Sequence, residues 1–64
     1  MKRTELLKRL RETAQANGLE LVHVREGGNH TVYRIGTYQF PVARRREINE
    51  LTAQGTLKRA SEEG

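Results

Sequence analysis

Residues 30–40 read HTVYRIGTYQF, and this stretch decides the fold. Two short runs rich in β-branched and aromatic side chains flank a Gly-Thr pair at 36–37, which suits a compact turn. The pattern predicts a β-hairpin with strands at 31–35 and 38–40. Pro41 has no backbone N–H to donate, so it belongs at the end of the second strand or on an edge.

A third strand is predicted upstream of the hairpin. Residues 19–24 read LELVHV, a run rich in β-formers that lies between Gly18 and the pair Gly27-Gly28. In this strand His23 shares a face with the leucines, which favours a packing or edge role. Consecutive strands with short connections predict an antiparallel sheet.

A helix is predicted before the strands, from Lys2 to about Asn17. Its apolar side chains fall on one stripe and its charged side chains cover the other side. Gly18 follows where a left-handed cap would end the helix. The stripe consists of Leu6, Leu7, Leu10 and Ala14.

A second helix is predicted after the strands, from the N-cap Asn49 toward Ser61. Gly55 and Thr56 weaken this prediction, because both are poor residues for a helix interior. Residues 60–64 are expected to fray. The side chains expected to face the core are Ile48, Ala53, Leu57 and Ala60.

These elements predict one domain over residues 1–64, of the α+β class and with the order α-β-β-β-α. Both helices should cover the same face of a three-stranded antiparallel sheet, because each has an apolar stripe to bury. The opposite face should stay partly open. Tyr33, Ile35 and Phe40 are the strand residues expected in the core.

Positive charge is concentrated in the middle of the chain. Residues 25–46 hold five arginines against one acidic residue, Glu26, and this excess equals the net charge of +4 for the whole chain. Such a concentration is typical of a surface that faces phosphates. The alternative is a solvated face that keeps the protein soluble. Within this segment Arg44, Arg45 and Arg46 are the strongest phosphate-binding candidates.

His30 is the candidate catalytic residue. It follows a flexible Gly-Gly-Asn turn, and histidine is the side chain best able to move protons near neutral pH, which suits a general acid or base. If the strand begins at His30, alternation places His30 and Arg34 on one face, where Arg34 would hold a phosphate close to the imidazole. The alternative is a turn histidine whose ring caps a backbone group.

Composition argues against several other classes of site. The chain has no cysteine, which excludes disulfides and thiolate zinc sites, and its two histidines lie seven residues apart without a carboxylate cluster. We therefore predict no metal and no cofactor. No apolar run approaches the roughly 20 residues that span a bilayer, so we expect a cytoplasmic protein. A domain this small is marginally stable alone, which suggests a protein partner.

The chain resembles the HicA toxins, small ribonucleases of bacterial toxin–antitoxin pairs with a fold like the double-stranded-RNA-binding domain. The resemblance covers nearly the whole chain and rests on the α-β-β-β-α order and on Gly28-Asn29-His30 followed by Tyr33-Arg34. It implies metal-independent cleavage of mRNA by His30 and a HicB-like antitoxin as partner. With it, Gly28, Asn29 and Arg34 join the three arginines at 44–46 as candidate RNA contacts.

The chain departs from the family after the third strand. HicA-like chains often read Pro-x-Pro-x-His there, whereas this chain reads Pro41-Val42-Ala43-Arg44-Arg45. The second histidine is absent, so the proton partner of His30 is not assigned. Two rival functions stay open: a non-catalytic RNA-binding domain of the same fold, and a small interaction domain whose basic face docks an acidic protein.

Overall fold

The computed structural model describes residues 1–63. Its three strands form one antiparallel sheet in the order β1-β2-β3. The predicted α+β class and topology are confirmed. The elements are helix α1 (Arg3–Ala16), strands β1 (Leu21–Glu26), β2 (His30–Ile35) and β3 (Tyr38–Ala43), and helix α2 (Glu50–Glu63).

The boundaries of β1, β3 and α2 differ from the predicted ones by two residues or more. β1 begins and ends two residues later than predicted, because Leu19 belongs to the end of α1. β3 continues past Phe40 to Ala43, and α2 extends to Glu63. The fraying predicted for 60–64 includes Gly64, which lies outside the described residues.

The turn between β2 and β3 is the predicted two-residue turn. Ile35 pairs with Tyr38, so only Gly36 and Thr37 lie between the strands. Gly36 has a φ of 60°, while Thr37 does not have a positive φ. Positive φ at the first central residue alone is the signature of a type II′ turn, whose twist matches that of the flanking strands.

The end of α1 is a Schellman cap, as the glycine predicted. Gly18 has a φ of 71°; its N–H donates to Gln15 O at 3.0 Å, and the next N–H, of Leu19, donates to Ala14 O at 2.8 Å. The cap satisfies two carbonyl groups at the helix end and turns the chain toward β1.

The start of α2 is capped by Asn49, as predicted. Its side-chain Oδ1 accepts the N–H of Leu51 at 2.9 Å and that of Thr52 at 3.2 Å. These are helix N–H groups that have no partner within the helix itself. The helix continues through Gly55 and Thr56, where the hydroxyl of Thr56 donates back to Thr52 O at 3.0 Å.

The core lies between the two helices and one face of the sheet. Three of the four side chains predicted for the α1 stripe are buried, and the fourth, Leu7, is half-buried. In the sheet, Ile35 and Phe40 are buried as predicted, whereas Tyr33 is half-buried against them. The predicted stripes and the placement of both helices on one face are confirmed. The buried apolar residues are Leu6, Leu10, Ala14, Ile35, Phe40, Val42, Ile48, Ala53 and Ala60.

Both edges of the sheet are interrupted. In β1, the pairing shifts between His23 and Arg25, which leaves Val24 in a β-bulge. In β3, alternation from the turn places Pro41 in a non-hydrogen-bonded pair, so its nitrogen points to the outer edge. Pro41 is thus tolerated inside β3 because β3 is an edge strand.

The segment between β3 and α2 runs alongside the start of the chain. The N–H of Arg3 donates to Arg46 O at 2.9 Å, and the N–H of Ile48 donates to Met1 O at 2.7 Å. Between them, Lys2 and Glu47 form an isolated antiparallel bridge. This pairing brings the first residues of α1 beside the basic segment 44–46.

Candidate active site and nucleic-acid interface

His30 is the first residue of β2 and is exposed. Alternation along β2 puts it on the face opposite the buried Thr31. Among the described side chains and backbone groups of residues 1–62, none hydrogen-bonds to its imidazole. A rigid strand thus presents the ring at the surface, where it is accessible to a substrate.

The imidazole borders an open cleft of about 520 Å³ at the end of the sheet. Its walls come from the turn before β2, the end of β3 and the start of α2. Glu47 contributes the one carboxylate among the described residues that line the cleft. Sequence analysis left the proton partner of His30 unassigned, and Glu47 is the titratable group that the fold brings into the same cleft. The lining residues are Asn29, His30, Ala43, Arg44, Arg45, Glu47, Ile48, Asn49 and Thr52.

The turn before His30 is closed by a backbone hydrogen bond. The N–H of Gly27 donates to His30 O at 2.8 Å. Neither Gly27 nor Gly28 has a positive φ, and a Cβ built on Gly28 meets no atom within 4 Å. The turn therefore does not need glycine at position 28 for its own conformation, which leaves room for close approach of a ligand to this backbone.

Arg44 folds back over this turn. Its guanidinium donates to the Glu26 carboxylate at 2.6 Å, to Gly27 O at 2.9 Å and to His30 O at 3.1 Å, and it also contacts Gly28 O. The backbone N–H of Arg44 donates to Asn29 O at 3.1 Å. Arg44 was predicted as a phosphate contact, and its contact with the turn was not predicted.

Glu26 connects the turn to the sheet and to α1. Its carboxylate is 2.7 Å from His23 Nε2 and accepts the hydroxyl of Thr31 at 3.0 Å. The hydrogen bond with His23, then the one from Thr31, and the contact with Arg44 lower the pKa of Glu26 from its ordinary 4.5 to about 2. Arg3 in turn donates to the Thr31 hydroxyl at 3.3 Å and to Ala43 O at 3.1 Å.

Arg34 shares the open face with His30 but does not lie close to it. Four residues of extended strand separate their Cα atoms by about 13 Å. The guanidinium of Arg34 donates to Gly36 O at 2.9 Å, at the opposite end of the strand. Arg34 therefore does not lie beside the imidazole, contrary to the expectation that it would hold a phosphate next to His30.

The exposed Arg45 and Arg46 lie in a basic depression of about 540 Å³. Its other walls are Lys2, Arg3, Thr4 and Arg44, so no carboxylate is among the described residues that line it. Arg44 and Arg45 border both this depression and the His30 cleft, so the two are neighbours. Arg45 and Arg46 were predicted as phosphate-binding candidates from the composition of the basic segment. Lys2 was missed, because only the pairing of residues 1–3 with 46–48 brings it here.

The aromatic side chains lie on the helix-covered face. Tyr33 contacts the ring of His23 edge-on at 5.8 Å between centroids, and Tyr38 stacks on Phe40 at 4.8 Å. The guanidinium of Arg59 lies 5.1 Å from the centre of the Tyr38 ring. The tyrosines thus belong to the packing of the domain and do not face the His30 cleft.

Two other features are absent from the part of the chain that the structure describes. Among the side chains that the structure describes, those of residues 1–62, no three His, Cys, Asp or Glu come together as ligands for a metal ion. Neither of the two helices in this part of the chain is long and apolar enough to cross a membrane.

No family model, no curated protein and no solved structure matches this chain.

Proposed function

We propose that this protein is a HicA-like toxin, an endoribonuclease that cleaves mRNA with His30 as general acid or base and without a metal. The observation that carries the proposal is the exposed imidazole at the start of β2, in a cleft that adjoins a basic depression. The resemblance around Gly28-Asn29-His30 points to the same residue. An mRNA substrate places the protein in the cytoplasm.

The proposed chemistry is attack by the RNA 2′-hydroxyl on the adjacent phosphorus. One group takes the hydroxyl proton and another protonates the departing 5′-oxygen, which leaves a 2′,3′-cyclic phosphate. His30 performs one of these transfers, because imidazole is the side chain that both gives and takes protons near neutral pH. Glu47 is the candidate for the other. Arg45, at the border of the cleft, stabilises the charge that develops on the phosphate.

The proposed RNA strand passes from the His30 cleft over Arg45 into the basic depression. Arg46 and Lys2 hold phosphates there, since both are exposed and the described lining carries no opposing carboxylate. On the open sheet face, Arg34 contacts a more distant phosphate. At the turn, Gly28 and Asn29 approach the backbone beside the cleaved bond.

A HicB-like antitoxin is the proposed protein partner. To inhibit, it would cover the His30 cleft and bring acidic groups to the arginines, and these groups would also steer association. Binding would raise the melting temperature of this small domain by mass action. A HicB-like reading frame beside the gene would support the assignment. A complex that leaves His30 and Arg34 open to solvent would contradict it.

The decisive experiment is incubation of purified protein with RNA in excess chelator. We expect cleavage to persist and the fragments to carry 2′,3′-cyclic phosphate ends. Loss of cleavage in chelator, with recovery on addition of Mg²⁺, would reject the metal-independent mechanism. Expression in cells should arrest growth for the wild type and not for His30→Ala.

One observation favours a second candidate, a non-catalytic RNA-binding domain of the same fold. The imidazole of His30 has no hydrogen-bond partner among the described groups of residues 1–62 to set its tautomer. RNA retention that weakens with salt, without any cleavage product, would identify this function. A domain that docks an acidic protein would show neither activity on RNA.

A further inference from the structure

We infer that Arg44 and Glu26 form a positioning pair that fixes the turn carrying His30, and that Arg44 is not a phosphate ligand. The inference rests on the proposed function, since it assigns residues that act through His30. Arg44 then has a different role from the one expected, and the acidic Glu26 joins the functional residues of this basic surface.

The contacts of the guanidinium carry this inference. Arg44 reaches three carbonyl oxygens of one turn, those of Gly27, Gly28 and His30. Carbonyl dipoles that converge on one point create a negative potential, and one planar cation with several donors satisfies them together. The donors that would grip a phosphate are therefore directed at the protein.

Glu26 anchors the same guanidinium. The salt bridge between Arg44 and Glu26 has an N–O distance of 2.6 Å, and Glu26 is itself held by Thr31 and His23. Because Thr31 is buried and bonded to Arg3, the anchor connects to the interior of the domain. The Arg44–Glu26 pair, which we call the brace, thus connects the packed end of the sheet to the turn.

The turn needs such a brace because its own sequence provides little rigidity. Gly27 and Gly28 have no side chains to pack, and the N–H of Gly27 to His30 O is the backbone bond that closes the turn. A histidine that begins a strand is fixed on its C-terminal side by the sheet. On its N-terminal side, the position of His30 depends on the turn.

Removing the negative charge of Glu26 separates the two roles of Arg44. Glu26→Gln makes the surface more basic, so electrostatics alone predicts RNA binding that is unchanged or tighter. If Glu26 positions His30 through Arg44, kcat should fall by about 10- to 100-fold while KM does not rise, the scale expected of a misplaced catalytic group. Glu20→Gln is the matched control, since it removes the same charge from an exposed residue outside the cleft.

The arginine variants complete the kinetic test. Arg44→Gln should lower kcat and leave the salt dependence of RNA binding unchanged, whereas Arg45→Gln should weaken binding and flatten that dependence. Arg44→Lys should restore little, because an ammonium cannot reproduce the planar set of donors. Weaker binding with a flatter salt dependence and unchanged kcat in Arg44→Gln would make Arg44 a phosphate ligand and overturn the inference.

Hydrogen exchange tests the brace without relying on cleavage. In both Glu26→Gln and Arg44→Gln, the backbone N–H groups at positions 27 and 44 should exchange at least several-fold faster than in the wild type. The exchange rate of the Tyr33 N–H, in the central strand, should not change. An equal loss of protection from exchange at all three N–H groups would mean that the substitutions destabilise the whole domain, which would reject a local role for the pair. Unchanged exchange at positions 27 and 44 would also reject the brace. If wild-type protein cuts no RNA, the proposed function fails, and the exchange rates still decide whether the pair holds the turn.

Discussion

His23 and His30 lie on opposite faces of the sheet. His23 pairs with Tyr33 across β1 and β2, and Tyr33 is three positions from His30 along β2, so the two point to opposite faces. His23 is moreover bonded to Glu26 and in edge contact with the Tyr33 ring. His23 is therefore not the proton partner of His30. Replacing each histidine in turn tests the same side chain inside and outside the cleft.

We predict that His30→Ala abolishes most of the RNA cleavage and that His23→Ala does not. Loss of a positioned acid or base costs about 10²-fold or more in rate, and the exposed His30 contributes little to packing. Circular dichroism and RNA affinity of His30→Ala should match the wild type. Rates measured on the same RNA for both variants check this prediction. Near wild-type cleavage by folded His30→Ala would shift attention to an arginine-only mechanism.

We predict that Arg45→Gln combined with Arg46→Gln weakens RNA binding and reduces its salt dependence. Each lost phosphate contact should lower the slope of log K against log salt by about 0.7 for single-stranded RNA. Adding Lys2→Gln should lower it once more, which tests the part of the depression that sequence analysis missed. Titrations at several salt concentrations, in a His30→Ala background that keeps the RNA intact, give the slopes.

A charge-matched control is available on α1. Lys8→Gln combined with Arg11→Gln removes two exposed positive charges that line neither the cleft nor the basic depression. If this control lowers the slope as much as the Arg45 and Arg46 substitutions do, binding is unspecific attraction to a basic protein.

Stability should fall with acid through Glu26. Its pKa is about 2 in the folded protein against an ordinary 4.5, so the carboxylate stabilises the fold above pH 4.5, and this contribution disappears between 4.5 and 2. Glu26→Gln should be less stable than the wild type at neutral pH and should lose less stability across that window. Urea unfolding at pH 6, 4 and 3 measures the difference. Parallel pH curves for the two proteins would contradict the assignment.

Two glycines should respond to alanine with opposite signs. Gly18 has a φ of 71°, a left-handed conformation, so Gly18→Ala should cost about 1 kcal/mol. Gly55 lies inside α2 with nothing within 4 Å of an added Cβ, so Gly55→Ala should add up to about 1 kcal/mol. Thermal unfolding of the two variants measures both effects. A Gly55→Ala protein that melts below the wild type would mean that position 55 has a constraint of another kind.

Most of the fold could be predicted from the sequence, because the signals that specify it are local. The stripe of α1, the cap at Gly18 and the turn at Gly36 each depend on neighbours along the chain, and all were predicted. The role of Arg44 was not, because its partner Glu26 lies eighteen residues away. The same holds for Lys2, which reaches the basic depression through a bridge to Glu47. A run of arginines in a sequence does not show which of its members the fold will use internally.

The interrupted edges of the sheet bear on how this protein can meet other chains. A strand added at β3 would face a position without an N–H at Pro41, and one added at β1 would meet the bulge at Val24. Neither margin offers an unbroken ladder to template a further strand. Concentrated protein should therefore resist edge-to-edge aggregation into fibrils, and a binder must recognise the side chains of a finished surface instead of completing the sheet.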